Sequence, residues 1–158
     1  MTNSQDAAAT TSTSNRAQQS ETQPALVLVN LGTPTAPEPG PVRAFLREFL
    51  SDRRVIEMSP LLWKPILEGI ILRVRPREVA GKYRSIWMDE GSPLMHYTRE
   101  QARLLGERLP GARVEVAMRY GQPSIGSVLD HLHAEGVRRV AILPAYPQYA
   151  ASTVTTIN

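Results

Sequence analysis

The sequence predicts an α/β fold: an open, doubly wound parallel sheet with a helical lip inserted after the first strand. Three observations carry that expectation. One continuous apolar run, ALVLVNL (25–31), has the length and β-branched content of a strand buried on both faces, and VRRVAIL (137–143) reads as a further buried strand running into Pro144. A third run, RVEVAM, alternates Val114, Val116 and Met118 in the manner of a strand. Amphipathic helical stretches separate the runs, and that alternation implies a parallel sheet with right-handed crossovers.

The chain has 158 residues, 42% of them hydrophobic, which suits one globular domain with a real core. Residues 1–23 contain no leucine, valine, isoleucine or aromatic side chain. They are expected to be a disordered tail ahead of a domain over 24–158, because they offer too little apolar surface to offset ordering. The tail lacks the apolar core of roughly 7–15 residues that a secretory signal needs, and Arg16 is its one arginine, so the expected location is cytoplasmic. There is no cysteine, which leaves this segment without a disulfide framework, a thiolate zinc site or an iron–sulfur cluster. A net charge of +3 fits anionic ligands or an anionic surface but is too weak to indicate nucleic acid.

After the first strand, TPTAPEPGP (33–41) reads as a proline-rich loop. Val42, Phe45, Leu46, Phe49 and Leu50 then recur at helical spacing. The next segment, 59–78, is apolar nearly all round, with Pro65 expected to kink or restart its helix. It admits two readings. One is a buried helical hairpin; the other is a greasy lip over a flat ligand or a membrane surface, with Arg73, Arg75 and Arg77 at its rim. Thr98 and Gln101 suggest a capping box for a helix bearing Leu104, Leu105 and Leu109. Pro123 stands near the start of a helix whose apolar face is Ile125, Val128, Leu129 and Leu132, closed by Gly136.

Several chemistries do not fit. Gly121 to Gly126 has a phosphate-loop spacing but no following lysine. His131 and His133, two apart on a helix, point to largely opposite sides and are not expected to share a metal. What remains are the loops LGTP, RYGQPS and PAYPQYAAST, all at the carboxyl edge of the expected sheet, and KYRSIWMDEGSPL between the first two strands. Open parallel sheets build ligand sites at that edge, and these loops suit a large, flat, anionic ligand.

LVNLGTP, VRAFLREFLSDRRV, YRSIWMDEGSPL, AMRYGQPS and LPAYPQYAAST, in this order and spacing, resemble the amino-terminal half of bacterial ferrochelatases. The resemblance covers the chain from Pro24 onward. It implies a chelatase-like fold, each half similar to Rossmann or flavodoxin domains, with a porphyrin cleft between two such domains. The implied activity is insertion of Fe(II) into protoporphyrin IX, the last step of haem synthesis, with the metal as substrate and no permanently bound cofactor. Coproporphyrin, another metal, or a non-catalytic porphyrin-binding half-domain are alternatives.

Position by position, the resemblance implies that Leu31 and Tyr83 line the porphyrin slot. It implies that Ser92, Arg119 and Tyr120 contact the macrocycle or its propionates, and that Tyr146 and Ser152 border the cleft; Arg75 is a further propionate candidate. It favours the lip reading, with peripheral membrane contact through Leu61, Leu62, Trp63, Ile66 and Ile70. Ala151 stands where some members carry a cluster-ligating cysteine. The family's catalytic histidine and its acidic partner are expected beyond Asn158, so no catalytic or metal-ligating residue is assigned within this chain.

Overall fold

The computed structural model describes residues 23–146. Strand β1 (Ala25–Gly32) leads to helix α1 (Pro39–Ser51). Helix α2 (Pro60–Ile66), a π-helical turn (Leu67–Ile71) and helix α3 (Leu72–Ile86) follow as one bent rod. Helix α4 (Pro93–Arg108), strand β2 (Arg113–Tyr120), helix α5 (Ile125–Ala134) and strand β3 (Val140–Pro144) complete the order. The strands form one parallel sheet in the order β2-β1-β3, so the first strand lies at the centre, as its continuous apolar run requires.

Pairing fixes which side chains share a face. Val27 lies opposite Glu115 and Val29 opposite Ala117, and the core cluster on that face joins Ala25, Val27, Val29 and Ala117 to Val128 and Leu132 of α5. The alternate residues point to the other face, where Met118 and Tyr120 are buried with Val42 and Phe45 of α1 and Met95 and Ala102 of α4. The sheet is thus covered on both sides, which confirms the doubly wound α/β architecture. The expected disordered tail lies, but for Gln23, outside the described residues.

Four local expectations are corrected. The proline-rich segment does not stay a loop to its end: α1 begins at Pro39, because a proline in the first turn loses no intrahelical bond. Helix α4 starts five residues before Thr98. Ser92 is its N-cap, accepting from the Met95 N–H, with Pro93 following, and this serine–proline start outranks the weaker Thr98 signal. Among the described residues strand β3 is not buried: it pairs with β1 alone, and Val140, Ile142 and Leu143 are exposed. Pro65 does not separate two helices. The chain passes through it into the π-helical turn, where Leu72 N–H reaches back five residues to the Leu67 carbonyl.

The bent rod is a lip, not a buried hairpin. Leu67 and Leu72 are buried and root it, and the Trp63 indole donates to the Leu50 carbonyl at 2.7 Å. Arg47 of α1 makes a two-pronged ion pair with Glu68 of the π-helical turn, at 2.7 and 3.0 Å. Both partners are nearly half exposed, so that pair guides the contact more than it stabilises it. Leu61, Leu62, Ile70 and Val74 point outward, Leu61 at 87% exposure.

Gly32 at the end of β1 has φ +119°, and a Cβ built there would lie 1.8 Å from the Tyr120 carbonyl oxygen. Gly32→Ala is expected to lower stability by about 3 kcal/mol or more, since both the backbone conformation and the strand contact must give. Thermal melting followed by circular dichroism checks this; an unchanged melt would show that β1 and β2 can separate freely at that end.

Candidate functional site

Because all three strands run parallel, their carboxyl ends present Gly32–Pro34, Tyr120–Gly121 and Ala145–Tyr146 along one edge. Ala145 N–H donates to the Val29 carbonyl at 2.8 Å, which holds the Tyr146 segment beside β1. Leu31 falls between the pairs Asn30–Met118 and Gly32–Tyr120, level with Arg119. Asn30 anchors the edge to α4 by donating to the Thr98 hydroxyl at 2.9 Å, and Thr98 donates onward to the Leu94 carbonyl. A cleft of about 210 Å³ at this edge is lined by Thr33, Pro34, Trp87, Gly91, Ser92, Arg99 and Gln122. It unites three of the four loops singled out from the sequence.

The electrostatic centre of the edge is Asp52, which directly follows α1. Its Oδ2 accepts from Arg119 Nη2 at 2.7 Å and from the Tyr120 hydroxyl at 3.0 Å, while Oδ1 accepts from Arg54 N–H at 2.8 Å. Burial works against the charged carboxylate. The Arg54 N–H, the Tyr120 hydroxyl and the Arg119 and Arg54 charges outweigh it, and the carboxyl sits below its ordinary value. One turn earlier, Glu48 accepts from Gly121 N–H at 2.9 Å, so the end of α1 holds the end of β2 at two points. Phe49 meets Tyr120 edge-to-face at 5.2 Å, and the Arg119 guanidinium lies over the Tyr120 ring at 4.8 Å.

Among the described residues, three buried polar atoms at this edge have no hydrogen-bond partner: Thr33 Oγ1, Arg119 Nε and the Tyr146 hydroxyl. Native proteins seldom leave such groups unpaired, and a ligand acceptor or donor is one way to complete them. Burial pushes the Tyr146 phenol up, with the nearby Arg119 charge opposing, so it is a neutral hydroxyl at ordinary pH.

The eight residues expected at a site are not all in one place. Leu31, Arg119 and Tyr146 come together at the strand ends. Tyr120 adjoins them, but at 1% exposure its phenol is committed to Asp52. Ser92 lines the cleft as a buried N-cap whose oxygen already accepts from Met95. Tyr83 lies on α3, half-buried, edge-to-face with Trp87 at 6.0 Å, its phenol raised by burial. Arg75 is exposed on α3 beyond the lip, and Ser152 lies outside the described residues. Beside the lip, Ser51, Arg53, Ile56, Met58, Trp63, Lys64 and Leu67 enclose a slot of about 310 Å³.

Sequence reasoning missed Asp52, Asn30 and Thr33 at this edge, and Glu48 as a structural tie between α1 and β2. Asp52 and Glu48 carried a signal: a carboxylate at a helix C-terminus meets the negative end of the helix dipole, so some other partner must hold it there. Among the described residues no three His, Cys, Asp or Glu side chains gather where a metal ion could bind. His131 and His133 lie in the last turn of α5, His131 beside Glu135 at 3.6 Å. That turn is at the far end of α5 from the strand edge.

Burial, the hydrogen bond to Asp52 and that carboxylate's charge push the Tyr120 phenol up to about 12. The folded state therefore keeps a proton that the unfolded chain releases near pH ~10, so this contribution is intact below pH ~10 and lost as pH rises toward 12. The stability margin of the native sequence over Tyr120→Phe, from urea midpoints, should be constant near neutral pH. It should shrink by on the order of 1 kcal/mol through that alkaline window. Parallel curves would show that the phenol is not specially held.

A family model described as Ferrochelatase matches residues 23–158. The ferrochelatase of Klebsiella pneumoniae (strain 342) is 51% identical over 137 residues, covering 87% of this chain and 43% of that protein. That of Yersinia enterocolitica is 51% identical over 132 residues, 84% of this chain and 41% of the relative. That of Escherichia coli O139:H28 (strain E24377A / ETEC) is 49% identical over 137 residues, with 87% and 43% covered. The chain thus spans about two-fifths of the length of these relatives. With the family match running through every described residue and about half of the aligned positions identical, the chain belongs to the ferrochelatase family.

Proposed function

We propose that this chain forms one wall of the porphyrin cleft in an enzyme that inserts Fe(II) into protoporphyrin IX to give haem, a lyase of the cytoplasm. The observation that carries the reading is the pairing of an outward-facing apolar lip with a polar strand edge holding unpartnered buried donors. A porphyrin has that same division: a flat apolar ring and charged propionates. Leu61, Leu62, Ile70 and Val74 offer apolar surface for the ring, and Arg73, Arg75 and Arg77 offer exposed cations for the propionates.

The physical problem of the reaction is that a flat macrocycle hides its nitrogen lone pairs and carries two N–H protons. A clamp that fixes and bends the ring exposes the nitrogens, and exclusion of water strengthens every polar contact made to it. In this chain Leu31 bounds the slot and Tyr146 and Arg119 present hydrogen-bond donors at its rim. Tyr83 closes the side toward α3, and Ser92 shapes the cleft through its N-cap. None of these groups serves as the base that removes the pyrrole protons. The chain by itself should therefore bind porphyrin without metallating it, and turnover of Zn(II) and porphyrin by the 158-residue chain above the uncatalysed rate would overturn that division of labour.

The same lip suits peripheral contact with an anionic membrane through Leu61, Leu62, Ile66 and Ile70, while Trp63, expected among them, is turned inward to the Leu50 carbonyl; no helix of the described residues is long and apolar enough to cross a membrane. Protoporphyrin fluorescence titration tests the ring-binding reading. Replacing Leu61, Leu62 and Ile70 together by Gln should weaken porphyrin affinity by roughly tenfold or more, because the ring then buries less apolar surface against the lip. The melting temperature should stay unchanged, because these side chains are already in solvent. Co-sedimentation with anionic vesicles should fall in the same variant. Equal porphyrin binding by both proteins would remove the lip from the site.

A further inference from the structure

Asp52 has no reason to be acidic on account of its own helix. It stands at the C-terminal end of α1, where the dipole favours a cation, and its backbone N–H caps the Phe49 carbonyl as any residue would. Its side chain nevertheless uses both oxygens. One takes the Arg54 N–H; the other takes Arg119 Nη2 and the Tyr120 hydroxyl together. Successive residues of a strand point to opposite faces, so Arg119 and Tyr120 should diverge. At the end of β2 a single carboxylate oxygen gathers them, and the guanidinium comes to rest over the phenol ring.

The gathering has a direction. With Nη2 bound to Asp52, the Nε of Arg119 is buried and without a partner among the described residues, as is the neighbouring Tyr146 hydroxyl. A guanidinium carries five donors in a rigid fork, so fixing Nη2 fixes where the neighbouring Nε can meet an acceptor. We propose that Asp52 is a positioning residue of the porphyrin cleft, turning the Arg119 fork so that its unpartnered Nε and the Tyr146 hydroxyl are set for the ligand. This rests on the porphyrin reading above. Asp52 itself touches neither ring nor metal; it acts through Arg119. It also keeps the neighbouring phenol neutral, since a second anion beside the carboxylate is disfavoured.

The test compares the 158-residue chain with Asp52→Asn, Asp52→Glu and Glu48→Gln by protoporphyrin fluorescence titration, melting temperature and tyrosinate absorbance between about pH 8 and 11. Asp52→Asn should bind porphyrin about tenfold more weakly, and one tyrosine should ionise at lower pH than in the native chain. That tyrosine is identified by its disappearance in the Asp52→Asn/Tyr120→Phe double variant. Glu48→Gln, which alters the other tie between α1 and β2, should leave both porphyrin affinity and tyrosine ionisation unchanged.

Should Asp52→Asn not fold, Asp52→Glu keeps the charge while displacing the carboxylate by one methylene. It should show a several-fold loss of affinity at a near-native melting temperature. Native-like affinity in the folded Asp52 variants overturns the inference even if the tyrosine titration moves, because the carboxylate would then be a structural tie alone. A native chain that binds no porphyrin overturns the cleft reading itself, and the two failures are distinguished by whether the unmutated protein binds.

Discussion

The register of β1 between its two parallel neighbours governs everything at the candidate site. Gly32 opposite Tyr120, and Val29 opposite both Ala117 and Pro144, bring three strand ends to the same height. A one-residue slip would exchange the faces of the central strand, sending Val27 and Val29 away from α5 and the Asn30 amide away from Thr98. The close approach of Gly32 to the Tyr120 carbonyl enforces that register at the end where it matters for function. Only a residue without Cβ fits, so the tightest steric constraint in the sheet lies beside the residues that carry the chemistry.

On that frame, charge is arranged against local preference. Asp52 and Glu48 gather near the end of α1, where the helix dipole disfavours them, and each is held by a group at the end of β2. The arrangement links two elements that are otherwise only neighbours: the helix that roots the lip through Leu50 and Arg47, and the strand that carries Arg119 and Tyr120. A displacement of α1 would therefore reach both the apolar lip and the polar strand edge.

How much of this could be read from the sequence follows from what each signal depends on. The strands β1 and β2 and helix α5 were legible because burial on both faces or on one face imposes a period on adjacent residues. The order of the loops along one edge followed from the parallel topology. The start of α4 at Pro93 was obscured because Thr98, a sound capping residue by type, serves instead as an interior link to Asn30, and only the tertiary contact reveals that. The exposure of β3 is a property of strand order, which no feature of VRRVAIL encodes. Arg119 and Tyr120 were found as a pair, but Tyr120 was expected at the ligand and lies instead behind Asp52. A partner 68 residues away leaves no periodic trace.

The lip poses a question of its own: why a chain would keep Leu61, Leu62, Ile70 and Val74 in water. Scattered apolar side chains on a surface are ordinary, but these four lie on one short bent rod whose inner side is already satisfied by Leu67, Leu72 and Trp63. Transferring each from water to an apolar contact is worth roughly 1.5–3 kcal/mol for full burial, so together they hold a substantial free energy that the fold does not collect. The π-helical turn sustains this display. By adding one residue to a helical turn it changes the rotation between α2 and α3, so one apolar sequence roots itself at Leu67 and Leu72 while turning its neighbours outward. A uniform helix would have distributed the same residues around its axis. Apolar surface left uncovered by the described residues and flanked by arginines is suited to an amphipathic anion with a large apolar body, and that is the chemistry on which the proposed porphyrin reading rests.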